Sequence, residues 1–217
     1  MTKPALIFDL DGTLVDSAPD IHAAANRMLQ SYDREPLSLA TIISFIGNGV
    51  PKLVERCLSA TGDARARGPA VDLFYDLYSA NLATLTRPYP GVTEFLERAK
   101  SEGHKLAICT NKPEAAAEEL CHQLNLLTYF EAVIGGDTLR VRKPDPAPLF
   151  EAIKRVGGER ATSMFVGDSI TDFRTAEGAG QPFAFFSGGY QPVPIKGCER
   201  HFNFDDWRKV TPDLMLG

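Results

Sequence analysis

Four apolar residues, 5–8 (ALIF), run without a break into the acids of IFDLDGTLVDSAPD, residues 7–20. A short, continuous apolar run with polar borders suits a strand covered on both faces, as in a parallel sheet. The same texture returns at 104–110 (HKLAICT), 132–134, 163–166 (SMFV) and 182–186 (PFAFF). Helical stripes lie between these runs. Val92, Phe95, Leu96 and Ala99 form one, with Gly103 at its end; Leu120, Leu124 and Leu127 form another. Leu149, Ile153 and Val156 form a third, and Gly157 is placed to stop it. Strand and helix thus alternate from about residue 88 onward, which predicts an α/β fold built on a doubly wound parallel sheet.

Residues 18–87 break this rhythm, because they hold no convincing strand. Ile21, Ala25 and Met28 form a helical stripe, as do Val50, Leu53, Val54, Cys57 and Leu58, and then Val71, Phe74 and Tyr78. The stretch TGDARARGP, 61–69, reads as an exposed connector with solvated Arg65 and Arg67. The expected division is a core of residues 1–17 and 88–217, interrupted after its first strand by a helical insert, 18–87. A chain of 217 residues can bury a sizeable core in such an arrangement.

The net charge of −5 gives no basic footprint for nucleic acid. The amino terminus does not read as a signal peptide, and no stretch is long enough to span a membrane, so the chain is read as cytoplasmic. Its four cysteines are scattered without a CxxC pair, which suits reduced thiols. His22, His104, His122 and His201 are dispersed with no metal-ligand spacing, so packing or surface roles are expected. HFNFDDW, 201–207, is read as a last strand and turn. The sequence carries no legible signal of oligomeric state.

In an open parallel sheet, ligands bind beyond the carboxyl ends of the strands. The first strand ends at Asp9 and Asp11, the second at Thr110 and Asn111, and the fourth at Asp168, with Asp172 one turn further on. Lys143 sits in RKPDP ahead of a helix. If the chain stays extended, Asp9 and Asp11 point the same way and Leu10 turns to the core. Each acid alone could be a turn or cap residue. Three carboxylates gathered at one edge repel unless a proton or cation intervenes. Oxygen-only ligands favour a hard ion, Mg²⁺ first.

DLDGTLVDS from Asp9, ICTNKP around Thr110, RKPDPAP around Lys143 and FVGDSITD around Asp168 together resemble the four motifs of the haloacid dehalogenase superfamily. RPYPGV at 87–92, VIGGD at 133–137 and IGNGV at 46–50 resemble its phosphoglycolate phosphatases. The resemblance implies a Rossmann-like core with a helical cap inserted after strand one, and hydrolysis of a small phosphorylated metabolite such as 2-phosphoglycolate. It assigns Asp9 as a nucleophile that forms an aspartyl-phosphate, and Asp11 as the acid and then the base. Mg²⁺ would be held by Asp9, Asp168 and the Asp11 backbone carbonyl, with Asp172 acting through water or as an orienting group. Lys143 would offset charge and fix Asp9; Thr110, Asn111 and the backbone near Gly12 would donate to phosphoryl oxygens. Asn48 and Gly49 are expected to face the substrate or to form a loop between cap helices. Thr13 and Asp16 either tune the site or organise the turn after the strand.

Other activities of the same cap type stay open: a pyrophosphatase, a sugar-phosphate phosphatase, a β-phosphoglucomutase, or a phosphonatase using Lys52 for a Schiff base. A non-enzymatic phospho-acceptor or binding protein is the alternative from another class. An acid/base at Asp11 argues against dehalogenase activity.

Overall fold

The computed structural model describes residues 3–63, 67–191 and 194–216. The chain opens with β1 (Ala5–Phe8) and a two-residue strand, β2 (Val15–Asp16). Four helices follow: α1 (Ala18–Gln30), α2 (Leu39–Ile43), α3 (Val50–Ala60) and α4 (Arg67–Ser79). They return through β3 (Arg87–Pro88) to α5 (Val92–Ser101), β4 (Lys105–Cys109), α6 (Glu114–Gln123), β5 (Ala132–Ile134) and α7 (Ala147–Arg155). The chain continues as β6 (Met164–Gly167), α8 (Ile170–Ala179), β7 (Phe183–Phe186), β8 (Phe202–Phe204) and α9 (Pro212–Leu216).

Among the described residues, six strands form one sheet in the order β5-β4-β1-β6-β7-β8, and every pairing in it is parallel. Sequence order runs outward from β1 to β5 on one side and from β6 to β8 on the other. The reversal therefore falls at β1, where such sheets open a crevice beyond the carboxyl ends. Period-two alternation explains the continuous apolar runs. Leu6 and Phe8 of β1 pack with Leu106, Ile108 and Val166 on one face, while Ala5 and Ile7 pack with Ala107, Cys109 and Phe165 on the other. Helices α7 and α8 cover this second face through Leu149, Ile153, Phe173 and Ala176. Across the sheet, Trp207 is buried in the HFNFDDW turn against Phe95 and Phe204, and its indole N–H donates to the Thr13 carbonyl at 3.1 Å. That bond anchors the loop that follows the first strand.

The insert leaves and re-enters at adjacent points. β2 and β3 pair antiparallel, Val15 with Pro88 and Asp16 with Arg87. Asp20, in the first turn of α1, accepts from the Thr86 amide and hydroxyl at 2.8 and 2.7 Å and from the Leu85 amide. One buried carboxylate thereby fastens the start of the insert to its end.

Three local expectations need correction. The Leu120 stripe does not continue as one helix: α6 stops at Gln123, Asn125 takes φ +58°, and Leu127 begins a separate 3₁₀ turn. The helix α4 starts inside the expected connector, at Arg67, and Arg65 lies outside the described residues. The short helix α2 and the β2–β3 pair were not foreseen, because elements so short carry almost no periodicity. Gly157 does end α7, at φ +65°.

Candidate active site

The edge of the sheet places Asp9 directly. Its amide donates to the Val166 carbonyl at 2.9 Å, so the β1–β6 ladder extends one residue past Phe8 and holds Asp9 at the carboxyl end. Leu10 is fully buried. The chain then turns through Gly12, whose φ is +89° and whose amide donates to Val15 O at 2.9 Å. A Cβ at Gly12 would lie 2.5 Å from Asp168 Oδ2. Gly12 therefore gives Asp168 its space. Its own N–H is spent inside the turn.

Asp168 follows β6 and is held by two groups of the core. Thr13 Oγ1 donates to its Oδ1 at 2.8 Å, and the Tyr190 amide donates to its Oδ2 at 2.7 Å. Burial, and then the Asp172 and Asp9 carboxylates, hold its carboxyl well above the usual carboxylate range. Asp172 is fixed by helix chemistry. Ser169 caps α8, and Asp172 closes the capping box by accepting from the Ser169 amide and hydroxyl through Oδ2 at 3.1 and 2.6 Å. This leaves Oδ1 aimed at Lys143.

Lys143 Nζ bridges Asp9 at 2.8 Å and Asp172 at 2.6 Å in a fully desolvated setting. Burial alone would lower its pKa, but the Asp172 and Asp9 carboxylates raise it. Asp9 is pushed up to about 7 by burial and then by Asp172, against the opposing effect of Lys143. Carboxylate oxygens of Asp9, Asp168 and Asp172 lie within 4.8 Å of one another. Three acids against one ammonium leave a surplus of negative charge. With oxygen donors alone, the cluster fits a hard divalent cation such as Mg²⁺.

Asp11 belongs to a second constellation. Its Oδ1 accepts from Ser17 Oγ at 2.5 Å and from Lys112 Nζ at 2.8 Å, and Lys112 also reaches Oδ2 at 3.0 Å. The third Lys112 contact goes to the Tyr78 hydroxyl of α4 at 2.8 Å. Burial pushes the Tyr78 hydroxyl up to about 12. All three ammonium protons are thus used at a side chain only 4% exposed.

Thr110 lines the crevice, anchored by its amide to Ile134 O at 2.9 Å. Asn111 lines it too, but its Nδ2 donates to the Gly47 and Lys143 carbonyls at 2.9 and 3.0 Å. Both side-chain amide protons are spent on tying the insert and the Lys143 backbone together. Asn48 is not among the residues that line the crevice. Its Nδ2 approaches Thr171 Oγ1 at 3.4 Å and its Oδ1 accepts from Arg56 at 2.8 Å, so it spans insert and core. Gly49 does line the crevice, at the start of α3. Lys52 is exposed, paired with Glu55 at 2.9 Å, and outside the lining, which removes the reason to consider a Schiff base there.

The crevice is open to solvent and spans about 650 Å³ of empty space, open solvent included. Asp9, Asp11, Thr110, Lys112 and Lys143 form its floor, and Ile21, Ile46, Val50, Leu53, Phe74 and Tyr75 of the insert form its walls.

Residues 6–186 match the model of the haloacid dehalogenase-like hydrolases. The chain belongs to this family. It is 46% identical to the phosphoglycolate phosphatase of Cereibacter sphaeroides (strain ATCC 17025 / ATH 2.4.3), over 98% of this chain and 97% of the relative. Identity to the phosphoglycolate phosphatase of Rhodobacter capsulatus is 42%, over 99% and 97%. The fold superposes on a predicted phosphoglycolate phosphatase from Haemophilus somnus 129PT with a TM-score of 0.89 and 30% identity, covering 96% of each chain.

In this haloacid dehalogenase-like hydrolase, sequence reasoning missed Lys112, Tyr78 and Tyr190. The hydroxyl of Tyr190 accepts from the Ser17 and Ala18 amides at 2.8 Å and donates to Asp16 at 2.9 Å, which closes the turn where the insert departs. Asp16 and Thr13 thus organise that turn, and Thr13 also reaches the acidic cluster. Only Lys112 left a trace in the sequence: it stands two residues past Thr110, within the motif already singled out.

Proposed function

We propose that the chain hydrolyses a small phosphate monoester, 2-phosphoglycolate, through an aspartyl-phosphate on Asp9, with Mg²⁺ as its metal. The chain is a phosphatase, and one observation carries the chemical reading. Asp9 and Asp11 open on the same cavity but have separate partners, Lys143 for one and Lys112 with Ser17 for the other. Two carboxylates in different surroundings can hold different protonation states and divide the work of nucleophile and acid.

Ionised Asp9 attacks phosphorus, and its new O–P bond replaces the bond to the departing alkoxide. Asp11 is oriented by Ser17 and Lys112 and would serve as the acid that protonates the leaving oxygen. The same carboxylate then takes a proton from the water that cleaves the aspartyl-phosphate and frees Asp9. Lys143 keeps Asp9 aimed, and Thr110 faces the transferring group. Asp9 and Asp168 would hold Mg²⁺, with Asp172 behind them; when bound it offsets the charge of carboxylate and phosphate.

Two features support the substrate. The relatives named above are phosphoglycolate phosphatases. A cation next to the lining could also meet a second anionic group: the Arg142 guanidinium, itself outside the lining, lies against Gly49 and acts electrostatically on Tyr75, both of which line the crevice. The test is a panel of monoesters compared by kcat/KM with Mg²⁺, including sugar phosphates, pyrophosphate and p-nitrophenyl phosphate, with acid-quench trapping of the phosphoenzyme. A preference for another ester would replace the substrate and leave the phosphatase; turnover without a trapped species on Asp9 would remove the intermediate.

A further inference from the structure

A second cluster lies at the opposite edge of the sheet, where β1 and β4 begin. His104 precedes β4 and is only 2% exposed. Its Nδ1 sits 2.9 Å from the Pro4 carbonyl, which can only accept, so Nδ1 carries the proton. Nε2 is then a lone-pair donor. It is buried and has no hydrogen-bond partner among the described residues. Glu102 Oε2 faces it at 3.9 Å and is likewise buried without a partner, while Oε1 accepts from Arg98 at 2.7 Å. A carboxylate oxygen of Asp213, from α9, completes a trio whose atoms all lie within 4.8 Å of one another.

Two lone-pair atoms buried face to face have both given up water for nothing, at a cost that native structures rarely tolerate. A proton on Nε2 would not repair this, since 3.9 Å is too long for a hydrogen bond. A cation between them would. We propose that Glu102, His104 and Asp213 form a binding site for a borderline divalent transition cation, Zn²⁺ being the representative ion. One imidazole nitrogen and two carboxylate oxygens suit such an ion, with water completing a tetrahedron. The nitrogen donor selects against Mg²⁺. The His104 Nδ1–H bond to Pro4 O is the outer contact that orients a metal-binding imidazole. Asp213 is exposed and can swing inward to close the remaining gap. Its present partner, Lys3 at 3.7 Å, is also exposed, and such a pair holds it weakly. The ion would fasten the carboxyl-terminal helix to the start of β4, remote from the phosphatase chemistry.

The test titrates Zn²⁺ into the Mg²⁺-saturated enzyme and follows the His104 Nε2 resonance by ¹⁵N NMR alongside calorimetry. Zn²⁺ is expected to shift that resonance saturably. Asp213→Asn, at an exposed position that leaves the fold intact, is expected to weaken this binding about tenfold or more with Mg²⁺-dependent turnover unchanged. His104→Gln should abolish it. An Nε2 resonance that stays put at saturating Zn²⁺ overturns the site. A shifted resonance with unweakened binding in Asp213→Asn overturns the three-ligand assignment.

Discussion

Lys112 holds both carboxylate oxygens of Asp11, at 2.8 and 3.0 Å, from a side chain almost wholly withdrawn from water. Its third proton goes to Tyr78 of the insert. Lys112→Met leaves Asp11 and Tyr78 facing an apolar chain. Breaking a buried pair from one side costs about 3–5 kcal/mol. A lower Tm is therefore expected together with a fall in kcat on the order of 10²-fold or more, the contribution of a well-placed acid and base. Thermal melts and steady-state rates check both; a variant with unchanged kcat would detach Lys112 from the chemistry.

Asp9→Asn removes the attacking oxygen while keeping the shape. Turnover should drop by on the order of 10⁴-fold or more, and no phosphoenzyme should be trapped. Substrate binding should survive, because Lys143 and the cavity walls are untouched. Acid-quench labelling with isothermal titration separates the two outcomes.

The acidic cluster sets a pH dependence with a defined sign. Asp9 rises from 3.8 to about 7, and Asp168 rises as well. Between about pH 4 and 7 the folded, metal-free chain binds more protons than the unfolded chain, so this contribution to stability is present at low pH and is lost as pH rises through the window. Mg²⁺, the proposed metal, would bind the ionised form, so its stabilisation should grow across the same range. Melting curves with and without Mg²⁺ at about pH 5 and pH 8 should show the larger shift at the higher value.

Arg142 lies against Gly49 of the cavity wall and outside the acidic floor. If it meets the second anionic group of the substrate, Arg142→Ala should raise KM for 2-phosphoglycolate about tenfold with little change in kcat. The KM for p-nitrophenyl phosphate, which has no carboxylate, should move far less. Equal effects on both substrates would assign Arg142 to the phosphate.

Gly12→Ala tests the packing of the acids. Its Cβ would need the space of Asp168 Oδ2 at a φ of +89°, a strain of about 1–3 kcal/mol. Apparent Mg²⁺ affinity should fall with activity, and a Mg²⁺ titration of the rate reads it directly.

The sheet and its acidic edge were legible because both follow from short-range rules. Period-two alternation placed Leu10 inward, and the carboxyl ends of β1, β4 and β6 named Asp9, Thr110 and Asp168. What stayed hidden depends on distant partners. Lys112 looks like a solvated lysine until α4 brings Tyr78 against it and β1 brings Asp11. Asn111 and Gly12 look like free donors until Gly47, Lys143 and Val15 consume their protons. Likewise, the dispersed histidines gave no spacing signal, yet β4 and α9 carry His104 and Asp213 to one place.

The two-residue pairing of β2 with β3 makes the helical insert, in topological terms, one long excursion from a single point. Asp9, Lys143, Asp168 and Asp172 all lie outside that excursion, so evolution can rewrite its apolar walls without disturbing the machinery that breaks the P–O bond. New substrates can be explored at little risk to turnover, one wall residue at a time. Tyr78 marks the limit of that freedom: through Lys112 it belongs to both halves, and a lineage that changes its diet by replacing Tyr78 must retune Asp11 in the same step.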